Sequence, residues 1–534
     1  MTLPTKIDTT NLLTILSVIA AVWALITPTK RLLLQFGMAW WDWVIVLGVF
    51  ALSNYLVFAP TLKALGFYYS FGPWKWGLDS SSAVYLLLLS VSFYLCLRFK
   101  SPKLLRGKIN NFRMLLENLH LTKQYEDLVR LLEPQLDKLL FIIKNPPFIA
   151  RKIDGLYNIM GNVNLAEVMI VESSLIRCLQ KKLRLFRNYI LNRDDSDEQA
   201  REVLLNVLTS PELTRHLAQT HPHFCLKLIK CNEVFSTDFT ADFISALLNS
   251  PNSRLYVELK NNLNTNGGSR LAIPKTNRLL HFLFSNAEFA KYNDFSRAIG
   301  ETLFWRLDED NRLAEVLNKP LGSYGDIGKF QCPIYSGITM FEIMVHEGIH
   351  QVLHDHLWLH YYKHFAEKIL KKMTKQDEDI WGEWQTPFHY LLCHLFKVAT
   401  NWSEQCAYIN YSEILKKNQK STSLDPYYIS KESTKLLGSM LELIIPSDKL
   451  ILSSKKEILE TVVRCYTRLE RNPKLRAVAD SLLISTTKGD FNMTKASYRK
   501  QLLELFDEID DHRVRGDAPK FRKAIESAIE VKPE

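Results

Sequence analysis

The chain has 534 residues, a net charge of +10 and 47% hydrophobic residues. That length is too great for one ordinary core and that apolar content excludes a disordered chain, so two or three folding units are expected. Eight cysteines (Cys96, Cys178, Cys225, Cys231, Cys332, Cys393, Cys406 and Cys465) are scattered without a C-x-x-C pair, which excludes a disulfide framework and suits a reducing compartment.

Three apolar runs occupy the first hundred residues: 11–27 (NLLTILSVIAAVWALIT), 43–59 (WVIVLGVFALSNYLVFA) and 82–97 (SAVYLLLLSVSFYLCL). Each is long enough, or nearly so, to cross about 30 Å of hydrocarbon as a helix. Trp40, Trp41, Trp43, Tyr68, Tyr69, Trp74 and Trp76 cluster near their ends, as aromatic side chains do at a membrane interface. Residues 1–103 are therefore expected to form a transmembrane anchor, with helices at about 11–27, 41–59 and 82–98. A cleaved signal peptide does not fit, because the start lacks a basic region and two further runs follow.

Orientation follows from the cationic flanks. After the third run stand Arg98, Lys100, Lys103, Arg106 and Lys108, whereas the longer loop between the second and third runs carries only Lys63 and Lys75. The positive-inside rule then puts the N-terminus outside and everything after residue 98 in the cytoplasm. The basic collar can also hold anionic headgroups, so the lipid bilayer is the first expected partner. The expected location is a multi-pass protein of a bacterial inner membrane.

From residue 104 onward apolar residues recur at helical spacing, as in residues 112–119 (FRMLLENL), and strand-like alternation is scarce. The body is expected to be all-α, with stacked helix pairs as one arrangement. Its expected divisions are a helical domain over 104–260, a second over 271–445 and a charged helical region over 446–534. Two breaks stand out, a polar loop at 261–270 (NNLNTNGGSR) and a Gly-rich stretch at 320–332 (PLGSYGDIGKFQC), and the charged tail from about Pro446 is expected to be a solvated surface. There is no phosphate-binding loop, no G-x-S-x-G and no zinc-finger spacing, and no nucleic-acid partner is indicated.

The chemistry concentrates in residues 345–365 (VHEGIHQVLHDHLWLHYYKHF), which hold six of the fourteen histidines. His346-Glu347-Gly348-Ile349-His350 fits H-E-x-x-H. On a helix, His346 and His350 lie one turn apart on one face and can reach one metal. Glu347, rotated by about 100°, can act as general base on a metal-bound water. This motif, with uncharged Met344, Val345, Gly348, Ile349 and Val352 around it, resembles that of zincin-type metallopeptidases. The resemblance implies a zinc cofactor and peptide hydrolysis.

Read as one helix, the segment places His346, His350 and His354 on one staircase and His356, His360 and His364 on another. Together they span an arc of about 160° on the apolar, inward side. His354 lies about 12 Å along the axis from His346, too far to complete one zinc site. His356 has the offset of the extended metzincin pattern, but Leu353 stands where that pattern has glycine. The preferred third ligand is Glu404, on a helix beginning at Pro387 that also carries His389 and Cys393; Glu383 stands behind it. The alternative is a non-enzymatic membrane effector or sensor, of the kind used in anti-phage defence, acting by self-association or a protein partner. Its histidines are then packed core residues.

Overall fold

A computed structural model describes residues 38, 40–67, 80–100, 104–145, 150–156, 181–186, 195–232, 235, 237–265, 273–353, 357–375, 384–409, 425, 427–489, 494–509 and 512–530. Among these residues every regular element is a helix and no strand occurs, so the all-α expectation holds. The chain divides into two compact units, residues 1–213 and 214–534. The division falls inside the segment 104–260, expected from the sequence to be one domain. The first apolar run, Lys103, His354, His356 and Glu383 lie outside the described residues.

Among the described residues of the first unit, α1 (Trp40–Val57) and α2 (Ser80–Lys100) pack as an antiparallel hairpin. Leu56 packs against Ala83 and Val84 at one end, and the Tyr94 hydroxyl donates to buried Asp42 at the other. Their outer faces stay apolar and uncovered, with Trp40, Leu47 and Phe50 of α1 and Tyr85, Leu89 and Phe93 of α2 all exposed. Polar side chains there turn back on their own helix: Asn54 Nδ2 donates to the Phe50 carbonyl at 2.9 Å and Ser90 Oγ to that of Leu86 at 2.8 Å. Among the described residues only α1 is both long and apolar enough to cross a membrane, with a mean hydropathy of 1.4 and 17% of its window buried.

Beyond the hairpin, α3 (Ile109–Leu121), α4 (Tyr125–Leu132), α5 (Leu136–Lys144) and α6 (Ser196–Leu208) form a small bundle. Phe112, Leu116, Leu139, Ile142 and Leu204 recur at helical spacing on the inward faces and are buried. Lys123 takes a left-handed φ of 57° where α3 turns into α4.

In the second unit the helices used below are α7 (Pro222–Asn232), α8 (Phe239–Leu248), α9 (Arg254–Thr265), α10 (Arg278–Phe284), α11 (Ala287–Tyr292), α12 (Phe295–Glu309), α13 (Pro333–Gln351), α14 (His360–Lys372), α15 (Pro387–Gln405), α16 (Tyr428–Ile444), α17 (Leu452–Arg471), α18 (Arg476–Thr487), α19 (Ala496–Asp507) and α20 (Pro519–Glu530). α13 is the centre. It starts with proline at its first position, where no amide hydrogen is needed. Every residue from Pro333 to Ile349 except Glu342 is buried. It packs on α11, α12 and α15, and a Cβ at Gly337 would overlap the Leu303 side chain of α12.

The C-terminal helices belong to this unit. α17 buries Ile458, Leu459, Val462, Cys465, Tyr466 and Leu469 and keeps Arg464 and Arg468 outward, packing on α15 and α18. α16 and α18 approach so closely that a Cβ at Gly438 would overlap the Ser485 backbone. The charge alternation of this tail is therefore the outer face of amphipathic packing helices.

The histidine-rich segment is not one helix. α13 stops at Gln351, because Val352 adopts a left-handed backbone (φ 56°, ψ 43°) and the Leu353 amide reaches back to the Gly348 carbonyl at 2.9 Å. A β-branched residue is rarely found in that conformation, and glycine is the usual stop signal. α14 starts only at His360. The two-staircase arc therefore does not form: His346 is buried and His350 half-buried, whereas His360 and His364 are exposed.

Candidate functional site

The last turn of α13 carries the H-E-x-x-H residues. The His346 and His350 rings lie 4.6 Å apart between centroids, tilted by 43°, as one-turn spacing requires. Glu347 is 4% exposed and its carboxylate accepts from Gln351 Nε2 at 2.8 Å. Gln351 acts as a clamp at the turn between α10 and α11. Its amide nitrogen also donates to the Ser285 carbonyl at 3.0 Å, and its Oε1 accepts the Ala287 amide at 2.9 Å. The carboxylate expected to serve as base is thus tied to a fixed backbone turn.

Glu404 is engaged elsewhere. Its Oε1 accepts from Arg468 Nε at 2.8 Å and pairs with Arg468 Nη2 at 2.7 Å, which commits it to α17. Among the described residues, no group of three or more His, Cys, Asp or Glu side chains is placed to hold a metal. A catalytic zinc takes three protein ligands and an open position. The two imidazoles supply two, and the structure does not bring Glu404 to them. His389 serves the fold instead, since its Nδ1 accepts the Thr386 amide at 3.1 Å and closes a capping box at the start of α15. Burial pushes that imidazole down to about 4. His364 Nδ1 faces Glu367 at 3.3 Å on the surface, and Cys393 is half-buried on α15.

Of the basic collar, Arg106 and Lys108 hold backbone carbonyls. Lys108 Nζ donates to the Met38 carbonyl just before α1, at 2.9 Å. Arg106 donates to the Asn145 carbonyl at the end of α5. Both side chains remain partly exposed, so anchoring the hairpin to the bundle and facing a charged surface are compatible roles. Arg98 and Lys100 close α2.

Sequence reasoning missed a polar seam between α13 and α15. These two 19-residue helices are each opened by a proline. Tyr335 of α13 stacks on His394 of α15 at 5.1 Å and lies 6.3 Å from Tyr390. Lys329, from the turn before α13, donates to the Tyr390 hydroxyl at 3.1 Å and sits over the Tyr335 and Tyr390 rings at 5.9 and 5.4 Å. Further along, Glu342 of α13 faces Lys397 of α15. Burial first, then the nearby Lys397 and Lys329 charges, push His394 down to about 3, so it stays neutral. The spacing of Tyr335, Glu342 and His346, and of Tyr390, His394 and Lys397, is a 7-and-4 or 4-and-3 stripe, the one signal that could have revealed the seam.

No family model matches the chain, and neither a curated protein nor a solved structure does.

Proposed function

We propose that the chain is a membrane-anchored effector or sensor whose helical body faces the cytoplasm and works by self-association or by binding a protein partner, without catalysis. The observation that carries this reading is the uncovered apolar surface of the α1–α2 hairpin. Such a surface needs a non-aqueous neighbour, and the self-satisfied Asn54 and Ser90 side chains suit one that offers no hydrogen bonds. Residues 11–27 supply the third span of the proposed anchor. Trp40, Trp41 and Trp43 then lie at the inner interface beside the collar of Arg98, Lys100, Lys103, Arg106 and Lys108. The bacterial inner membrane and a role in anti-phage defence rest on analogy of architecture.

Topology is testable with cysteine substitutions at two exposed lysines. A membrane-impermeant maleimide should label Lys63→Cys, between α1 and α2, in intact cells. It should reach Lys500→Cys, on α19, only after permeabilisation. The reverse pattern overturns the orientation. For the mode of action, membrane depolarisation on overproduction should survive both Glu347→Gln and His350→Ala; loss with these two substitutions counts against a non-enzymatic role.

A second reading, a zinc metallopeptidase, is favoured by the adjacent His346 and His350 rings. In it these two imidazoles hold the metal. Metal analysis of chelator-free full-length protein tests it: stoichiometric zinc lost with His346→Ala supports it, and absence of stoichiometric zinc removes it.

A further inference from the structure

The acidic side chains packed into the second unit differ in what surrounds them. Glu258 of α9 is fully buried and fully provided for. It accepts the Leu279 and Leu280 amides at 2.9 and 3.1 Å and Arg254 Nε at 3.2 Å. Glu347 has Gln351, and Glu404 has Arg468. Glu342 has none of this: among the described residues its carboxyl accepts no hydrogen bond and joins no ion pair. It sits in the seam where α13 meets α15, half-buried, with enough opening for protons to exchange with solvent.

The charged and titratable groups facing it are few. Lys397 approaches from α15, Tyr335 from its own helix, and Tyr362 from α14. His394, stacked on Tyr335, is held neutral, and His346 follows one turn later on the same face of α13. A half-buried carboxylate in this position gives up part of its hydration and has one nearby cation to offset the loss. Burial accordingly pushes Glu342 up from 4.5 to about 7, with Lys397 opposing the rise.

We propose that Glu342 is a proton-binding site through which the packing of α13 against α15 responds to pH. The neutral acid suits the half-buried seam, and the charged form finds no protein donor there among the described residues. Because the folded chain holds this proton more tightly than the unfolded chain, stability falls as pH rises from 4.5 through about 7, and levels off above. The proposal is independent of whether the hairpin spans a membrane and of any metal at His346 and His350.

Thermal unfolding of the full-length protein in detergent, from about pH 4.5 to about pH 8.5, tests it against Glu342→Gln. The two proteins should melt together at the acid end. Through neutrality the Gln variant should become the more stable, by at least about 2 °C at the alkaline end. A difference that does not change with pH overturns the proposal. Lys397→Met supplies a second arm that stands even if the Gln variant fails to fold. Removing that cation should move the wild-type inflection to higher pH, and an inflection that stays in place overturns the proposal.

Discussion

Two helices of nearly equal length, α1 and α13, show how this chain separates a core helix from one with an uncovered apolar surface. Both are predominantly apolar, yet α13 is enclosed almost from end to end while α1 has 17% of its apolar window buried. The difference lies in how polar groups are served. On α13 Thr339 turns back on its own helix, but other groups reach distant segments: Gln351 meets Ser285 and Ala287, and the Ile338 carbonyl accepts the Tyr362 hydroxyl at 2.8 Å. On α1, Asn54 is served within its own helix and Asp42 by Tyr94 of the neighbouring α2. A helix in lipid can use only such local partners, whereas a core helix can draw on the whole fold.

Truncating one aromatic on each helix should break this comparison most sharply. Phe341, fully buried on α13 with its ring 4.8 Å from Tyr361 and 5.7 Å from Phe365, should cost about 3–5 kcal/mol when changed to Ala. Phe50→Ala on the open face of α1 should fall within about 0.5 kcal/mol. Denaturant unfolding in detergent measures both, and equal losses would mean that α1 is as enclosed as α13.

Glu258→Ala should come next, at about 1.5–3 kcal/mol, because it strands the Leu279 and Leu280 amides that the carboxylate caps. The same unfolding measurement applies, and a neutral result would deny that the second unit depends on long-range polar partners. Tyr94→Phe should be smaller, at about 1 kcal/mol, seen as faster proteolysis of the hairpin. It removes the hydroxyl that donates to buried Asp42 while leaving the apolar contacts at the Leu56 end in place. An unchanged rate would show that the hairpin is held by apolar contact alone.

Much of the fold was legible in local pattern. The helices expected at about 41–59 and 82–98 match α1 and α2 closely, and the Pro387 start signal opens α15. The failures came where local pattern was silent. Nothing at Val352 announces a helix end, since no glycine stands there; only the Leu353 amide bonding back to Gly348 reveals it. The site partners were equally hidden. Gln351 meets Ala287 across 64 residues, and Glu404 meets Arg468 across another 64. Glu342 reads in sequence as one of two acids, with Glu347, on an apolar helix. Its significance depends on which donors the fold withholds from it.

Extraction of cell membranes at alkaline pH tests the central claim, that the α1–α2 surface is covered by lipid, most directly. The full-length chain should stay in the membrane pellet, and a variant carrying Leu47→Arg and Phe50→Arg should be partly released, since each charge in hydrocarbon costs about 2.5–3.5 kcal/mol. Recovery of the unaltered chain in the supernatant, folded and without detergent, would contradict the account.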